Sequence, residues 1–145
     1  MQPLFIKSTT NALIVPEQPT HFFILAKGNN AGKPSLTHWA NAFTAIAPTQ
    51  EMRDFYYWLT FGLYKAKAFK IHHRGSVIPF INIGEVKKLI EPAAIAIYPQ
   101  WQDYKSLLTH FELLEQRKNN LAQILKSTAT LQEMLIRNYF LQQGL

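Results

Sequence analysis

The residues that could do chemistry in this chain are few. Five histidines, His21, His38, His72, His73 and His110, show neither the i, i+4 pairing nor the acidic companions of a zinc site, so no metal is expected. There is no cysteine to act as nucleophile, thiolate ligand or disulfide partner. Nine acidic residues form no close carboxylate pair, and neither a Ser-His-Asp order nor a nucleophile elbow stands out. The run Gly28-Asn29-Asn30-Ala31-Gly32-Lys33-Pro34 has three residues between its glycines where a phosphate-wrapping loop needs four, and Pro34 where that loop places a hydroxyl on magnesium. It reads as a glycine-asparagine turn that permits positive φ and sets Lys27 and Lys33 at a hairpin tip. The expectation is a protein without catalysis and without a cofactor.

What chemistry remains is cationic. Fifteen Lys and Arg against nine Asp and Glu give +6, and residues 61–90 carry +5 of it through Lys65, Lys67, Lys70, Arg74, Lys87 and Lys88 against Glu85. Residues 91–145 hold five of each sign. A local field of this kind, interleaved with Tyr64, Phe69, His72 and His73, attracts phosphate backbones because each neutralised phosphate releases counterions. A lysine-rich solvated face that only aids solubility is the competing reading.

The elements that must position these groups follow from periodicity. At 145 residues, 48% apolar, with 10 Phe, 6 Tyr and 3 Trp, the chain suits one domain with a modest core and has no room for a two-domain enzyme. No run of 18 apolar residues and no charged segment leading into an apolar one is present, so neither a membrane span nor a secretory signal is expected, and a cytoplasmic location is the default. Short strands are predicted at Leu4–Ile6, Ala12–Val15, His21–Ala26 and Asn41–Ile46, separated by turn-forming residues. Thr49 is placed to cap a helix from Gln50 on which Met52, Phe55, Tyr56 and Leu59 share a stripe, with an interruption or close packing at Gly62. A further turn or two is predicted over Leu63–Phe69, with Lys70 near its C-terminal end. A loop around Gly75 over His72–Pro79, a short helix from Asn82 to Leu89, and a half-buried strand at Ala94–Tyr98 ended by Pro99 complete a head over residues 1–100.

From Gln102 to Gln142 there is neither Pro nor Gly, and apolar residues recur at helical spacing. Either one long helix or a hairpin broken at Ser127–Thr130, where Thr130 and Glu133 form a capping-box pattern, fits residues 101–145. A helix that outgrows its domain must meet another helix. Leu107, Phe111, Leu114, Leu121, Leu125, Leu131 and Leu135 are the expected dimerisation face, toward a second copy or a partner protein's helix. The fold class is therefore α+β, a small twisted β-rich head with short helices followed by a long helix or helical hairpin.

Three quoted runs carry a resemblance: Phe55-Tyr56-Tyr57-Trp58-Leu59; Gly75-Ser76-Val77-Ile78-Pro79-Phe80-Ile81-Asn82-Ile83-Gly84-Glu85-Val86-Lys87-Lys88-Leu89; and Ile95-Ala96-Ile97-Tyr98-Pro99. Their order resembles the target recognition domain of type I restriction-modification specificity subunits, with its aromatic helix, Gly-Ser-x-x-Pro loop, Lys-rich short helix and Ile-x-x-Pro strand end. The segment Phe23–Lys33 is similar to that family's strand and Lys-Gly-rich hairpin, and the C-terminal helix occupies the place of its spacer helix. The family carries two such domains per chain, whereas this chain has one, like a half-subunit or a relative on a bacterial mobile element. The resemblance implies a module that binds double-stranded DNA without catalysis. Lys65, Lys67, Lys70 and Arg74 would hold phosphates, with Lys27 and Lys33 at the hairpin. Asn29, Asn30, His73, Ser76 and Asn82 would reach base edges. The alternative function is an anti-restriction or regulatory module docking through its C-terminal helix.

Overall fold

A computed structural model describes residues 2–8 and 19–145. The predicted strand at Ala12–Val15 lies outside the described residues. The chain separates into two compact units, Met1–Trp101 and Gln102–Leu145. The class is α+β: β1 (Phe5–Ser8), β2 (His21–Leu25), β3 (Pro34–Ser35), β4 (Ala42–Ile46), α1 (Gln50–Lys65), α2 (Ile83–Ile97) and α3 (Trp101–Gln142), with single 3₁₀ turns at Lys70–His72 and Tyr98–Gln100.

The four strands form one antiparallel sheet in the order β1-β4-β2-β3. β4 is central, pairing Ile6 with Ala45 on one side and Ile24 with Phe43 on the other. Because side chains alternate across a pleat, Ile6, Phe22, Ile24, Phe43 and Ala45 join one buried cluster with α1 and α2. Phe22, Phe23, Ile24 and Ala45 are at most 1% exposed. Thr49 caps α1 as expected, its Oγ1 accepting from the Met52 amide at 3.2 Å. Met52, Phe55, Tyr56 and Leu59 are the buried stripe. Phe55 is boxed edge-on by Tyr56, Tyr98 and Trp101, each with ring centroids 5.1 Å away.

Several sequence expectations are corrected. Gly62 does not interrupt α1, which takes in Leu63–Lys65 of the predicted extra turn, while Ala66–Phe69 is turn and not helix. The helix ends at Lys65, and Lys70 opens a 3₁₀ turn. The short helix from Asn82 runs on to Ile97, through Pro92 and through the predicted strand Ala94–Tyr98. The reason is a stripe that two-residue alternation hid: Val86, Ile90 and Ala94 recur every four residues and are all buried, while Ile95 is 69% exposed. Pro92 forfeits one helical hydrogen bond, at a typical cost of roughly 3 kcal/mol; burying Val86 and Ile90 offsets it at about 1.5–3 kcal/mol per fully buried aliphatic side chain.

α3 is continuous, and the hairpin alternative does not form. At the candidate break the Thr128 hydroxyl donates to the Ile124 carbonyl and Thr130 to Lys126, so both side chains bond back within the helix instead of capping a new one. At 1.5 Å per residue its 42 residues span about 63 Å. No described helix is long and apolar enough to cross a membrane.

Candidate functional site

The predicted DNA-binding residues fall into separate places within the head unit. An open groove of about 280 Å³ is lined by Asn29, Ala31, Tyr64, Lys65, Lys67, Phe69, Lys70 and His73. It gathers three of the predicted lysines with Asn29 and His73, and no carboxylate lines it among the described residues. Lys27 and Asn82 line a second groove of about 520 Å³, with Asn41, Phe43 and Phe80. Lys33 belongs to neither: it is half-buried, its ammonium 5.8 Å from the Trp39 ring centroid, so it is not the exposed hairpin tip expected.

The lysine groove is built by docking the glycine-asparagine turn onto the end of α1. Gly28 and Gly32 both adopt positive φ, +91° and +96°. A side chain at Gly32 would lie 2.5 Å from the Phe69 ring, so only glycine lets the turn rest there. Three hydrogen bonds fix the turn: the Tyr64 hydroxyl donates to Asn30 Oδ1 at 2.8 Å, His73 Nε2 donates to the Ala31 carbonyl at 3.0 Å, and the Gly28 amide donates to the Pro79 carbonyl at 2.7 Å. Asn30 and His73 thus hold the groove's shape; their partners are inside the protein. Asn29 carries no such bond among those described and lines the groove directly.

The lysines are presented by the way α1 stops. The Ala68 amide donates to the Leu63 carbonyl and the Lys67 amide to Tyr64, which together make a Schellman closure. The left-handed position of that closure, ordinarily glycine, is Lys67 at φ +61°. A non-glycine residue costs roughly 1–2 kcal/mol there. The strained residue is a cation lining the groove, and such outliers concentrate at working sites. Lys65 lies in the last turn of α1, where the helix dipole favours a cation, and its ammonium sits 5.5 Å from the Phe61 ring centroid.

Arg74 and Ser76 stand on an adjoining tip. Arg74 and Phe80 exchange two backbone hydrogen bonds of 2.8 Å, and Gly75 at φ +90° turns the chain between them. The tip is exposed, with Val77 89% accessible. Asn82 is the N-cap residue of α2, with extended backbone and no side-chain capping bond. His72 faces Glu85 at 3.0 Å, and Lys88 reaches the same carboxylate at 3.4 Å, so the acid inside the basic segment is engaged locally. Phe55 is core, as expected of the aromatic helix, and Tyr57, Trp58 and Phe61 are half-buried in an edge-to-face ladder. Burial pushes the Tyr57 hydroxyl pKa up, while nearby Arg53 opposes the shift. Tyr64 and Phe69, named in the sequence among the residues interleaved with the cations, line the groove; the bond from Tyr64 to Asn30 has no local signal in the sequence. No group of His, Asp or Glu able to hold a metal occurs among the described residues.

This architecture is a small mixed α/β head bearing a lysine-lined groove, followed by a single long helix. The chain belongs to the family of unknown function DUF6943, which matches residues 13–138. No curated protein and no solved structure matches it.

Proposed function

We propose that this protein is a non-catalytic module that binds double-stranded DNA through the lysine groove of its head and associates with a second copy through α3. The observation that carries the reading is the convergence of Lys65, Lys67 and Lys70 on one open groove with no carboxylate among the described residues of its lining. Three lysines lining one groove make its field suited to a polyanion, and the stem of each lysine lets its charge follow successive phosphates. The positive-φ Lys67 supports the same reading, because glycine would close α1 at lower cost.

The likeness to a type I target recognition domain is part of the proposal. It is supported by the sequence order of aromatic helix, Gly75-Ser76 loop and Lys87-Lys88 helix; its expected strand end at Ile95–Pro99 is helix and a 3₁₀ turn in this chain. In that likeness, Asn29 and Ser76 are the base-reading candidates. Asn30 and His73 act indirectly, by holding the turn.

Fluorescence anisotropy of the full chain on duplex DNA, repeated across a salt series, tests the reading. Affinity should fall steeply with salt, and changing Lys65, Lys67 and Lys70 together to Glu should lower the slope by about 3, near 0.9 per lost phosphate contact. Negligible binding at low salt overturns it. Should that result come with a monomeric chain, the favoured reading becomes a module whose exposed α3 docks onto another protein's helix, consistent with Leu121, Leu125 and Leu135 each being more than 60% exposed.

A further inference from the structure

We infer that α3 pairs with a second copy of this chain in parallel and in register, each seam residue meeting its own counterpart. The inference rests on the association half of the proposed function and adds to it direction and register. Alternating steps of three and four from Leu107 to Tyr139 trace one seam along α3, the seven-residue repeat of a two-stranded coiled coil. One of its two alternating positions carries Leu107, Leu114, Leu121 and Leu135, with Thr128 the exception, the leucine row of a two-stranded coiled coil. Leu107, Leu114 and Leu121 are 60–62% exposed, and an apolar stripe of this length, broken only at Lys118, Thr128 and Gln132, marks an interaction surface.

Direction follows from the polar residues in the seam. Lys118 and Gln132 occupy its other alternating position, where a polar residue fixes register at some cost in stability. In parallel register polar residues meet polar ones, and the flanking pairs match as well: Leu131 lies beside Ile136 of the second copy. Turned end for end about the middle of the helix, the seam matches Lys118 with Thr128 but sets Gln132 against Leu114 and Arg117 beside Leu131, burying those polar groups against apolar ones. Lys118 meets another lysine in parallel register, but each is already held by Glu115 of its own helix, with Nζ and Oε1 2.8 Å apart. Parallel pairing joins the two copies at their Trp101 ends.

The chain has no cysteine, so an introduced thiol reports alone. Full-length L114C and Q132C are prepared separately, mixed, allowed to exchange subunits and oxidised, and the linked products are identified by mass after digestion. The expected result is near-complete conversion to 114–114 and 132–132 disulfides, with the unmodified chain a dimer by light scattering. A dominant 114–132 product shows that the copies pair but overturns the parallel register. A monomer by light scattering without linked product overturns both this inference and the association on which it rests, leaving DNA binding by the head to be judged by its own assay.

Discussion

In the unit Met1–Trp101, Phe22, Phe23, Phe55 and Phe69 are at most 1% exposed, whereas in Gln102–Leu145, Leu121, Leu125 and Leu135 stand 61–72% exposed. The charges divide in the opposite sense: residues 61–90 hold most of the net positive charge, and residues 91–145 balance. A region that closes its own core can spend its surface on one sign of charge. A helix without a core of its own needs neutrality along its sides and an apolar seam for something to cover. The head thus presents a lysine-lined groove and α3 an apolar seam.

Matched truncations test this difference most directly. Phe55→Ala should cost the head about 3–5 kcal/mol, a large part of the stability of a domain this small. Leu125→Ala, outside that core, should change the unfolding free energy of the head by no more than about 0.5 kcal/mol. Comparable losses from both, followed by tryptophan fluorescence, would erase the distinction between the regions.

Gly32→Ala comes next in size. A methyl group at positive φ and 2.5 Å from the Phe69 ring should cost about 2 kcal/mol or more. It should also weaken DNA binding by lifting the turn from the groove, whereas α3-mediated association, read by light scattering, should be unaffected.

Lys67→Gly sharpens the comparison by separating stability from binding within the head. Relief of the left-handed lysine should raise stability by about 1 kcal/mol. The same change should reduce the salt slope of DNA binding by about 1, as loss of one phosphate contact does. A gain in stability with unchanged binding would make Lys67 a bystander in the groove.

The smallest expected effect is a pH dependence in the sheet. Burial, and next the nearby Lys7, hold the His21 pKa below its ordinary value of 6.5. The folded state therefore binds this proton less readily than the unfolded chain, and stability should decline as the pH falls below about 6.5, levelling off beneath the folded value. Urea midpoints between pH 5 and 8 should show a shallow decline that is flatter in His21→Gln.

Much of the scaffold was legible in the residues. The Thr49 cap, the Met52-Phe55-Tyr56-Leu59 stripe and the positive-φ glycines of the 28–33 turn each rest on local rules that a few neighbouring residues satisfy. The end of α2 was misread because Ile95 and Ile97 alternate as a strand would; Val86, Ile90 and Ala94 found a common cover only once the sheet and α1 stood beside them. The break in α3 was misread because Thr130 and Glu133 match a capping pattern that a continuing helix has no use for. Of the candidate site, the three lysines were legible as charge, but their separation from Lys27, Lys33 and Asn82 was not, since sequence distance says little about which surfaces a folded loop divides.

By itself the sequence determined that the chain would form a head with an aromatic core and a long amphipathic helix, and that its positive charge would concentrate after α1. Periodicity and composition act locally, and no distant contact is needed to read them. Only the tertiary structure decided which cations share a groove, that Asn30 and His73 brace the turn, and that Lys67 occupies a position ordinarily left to glycine. Those outcomes depend on how Gly32 packs against Phe69, a contact across 37 residues of chain that no local rule encodes.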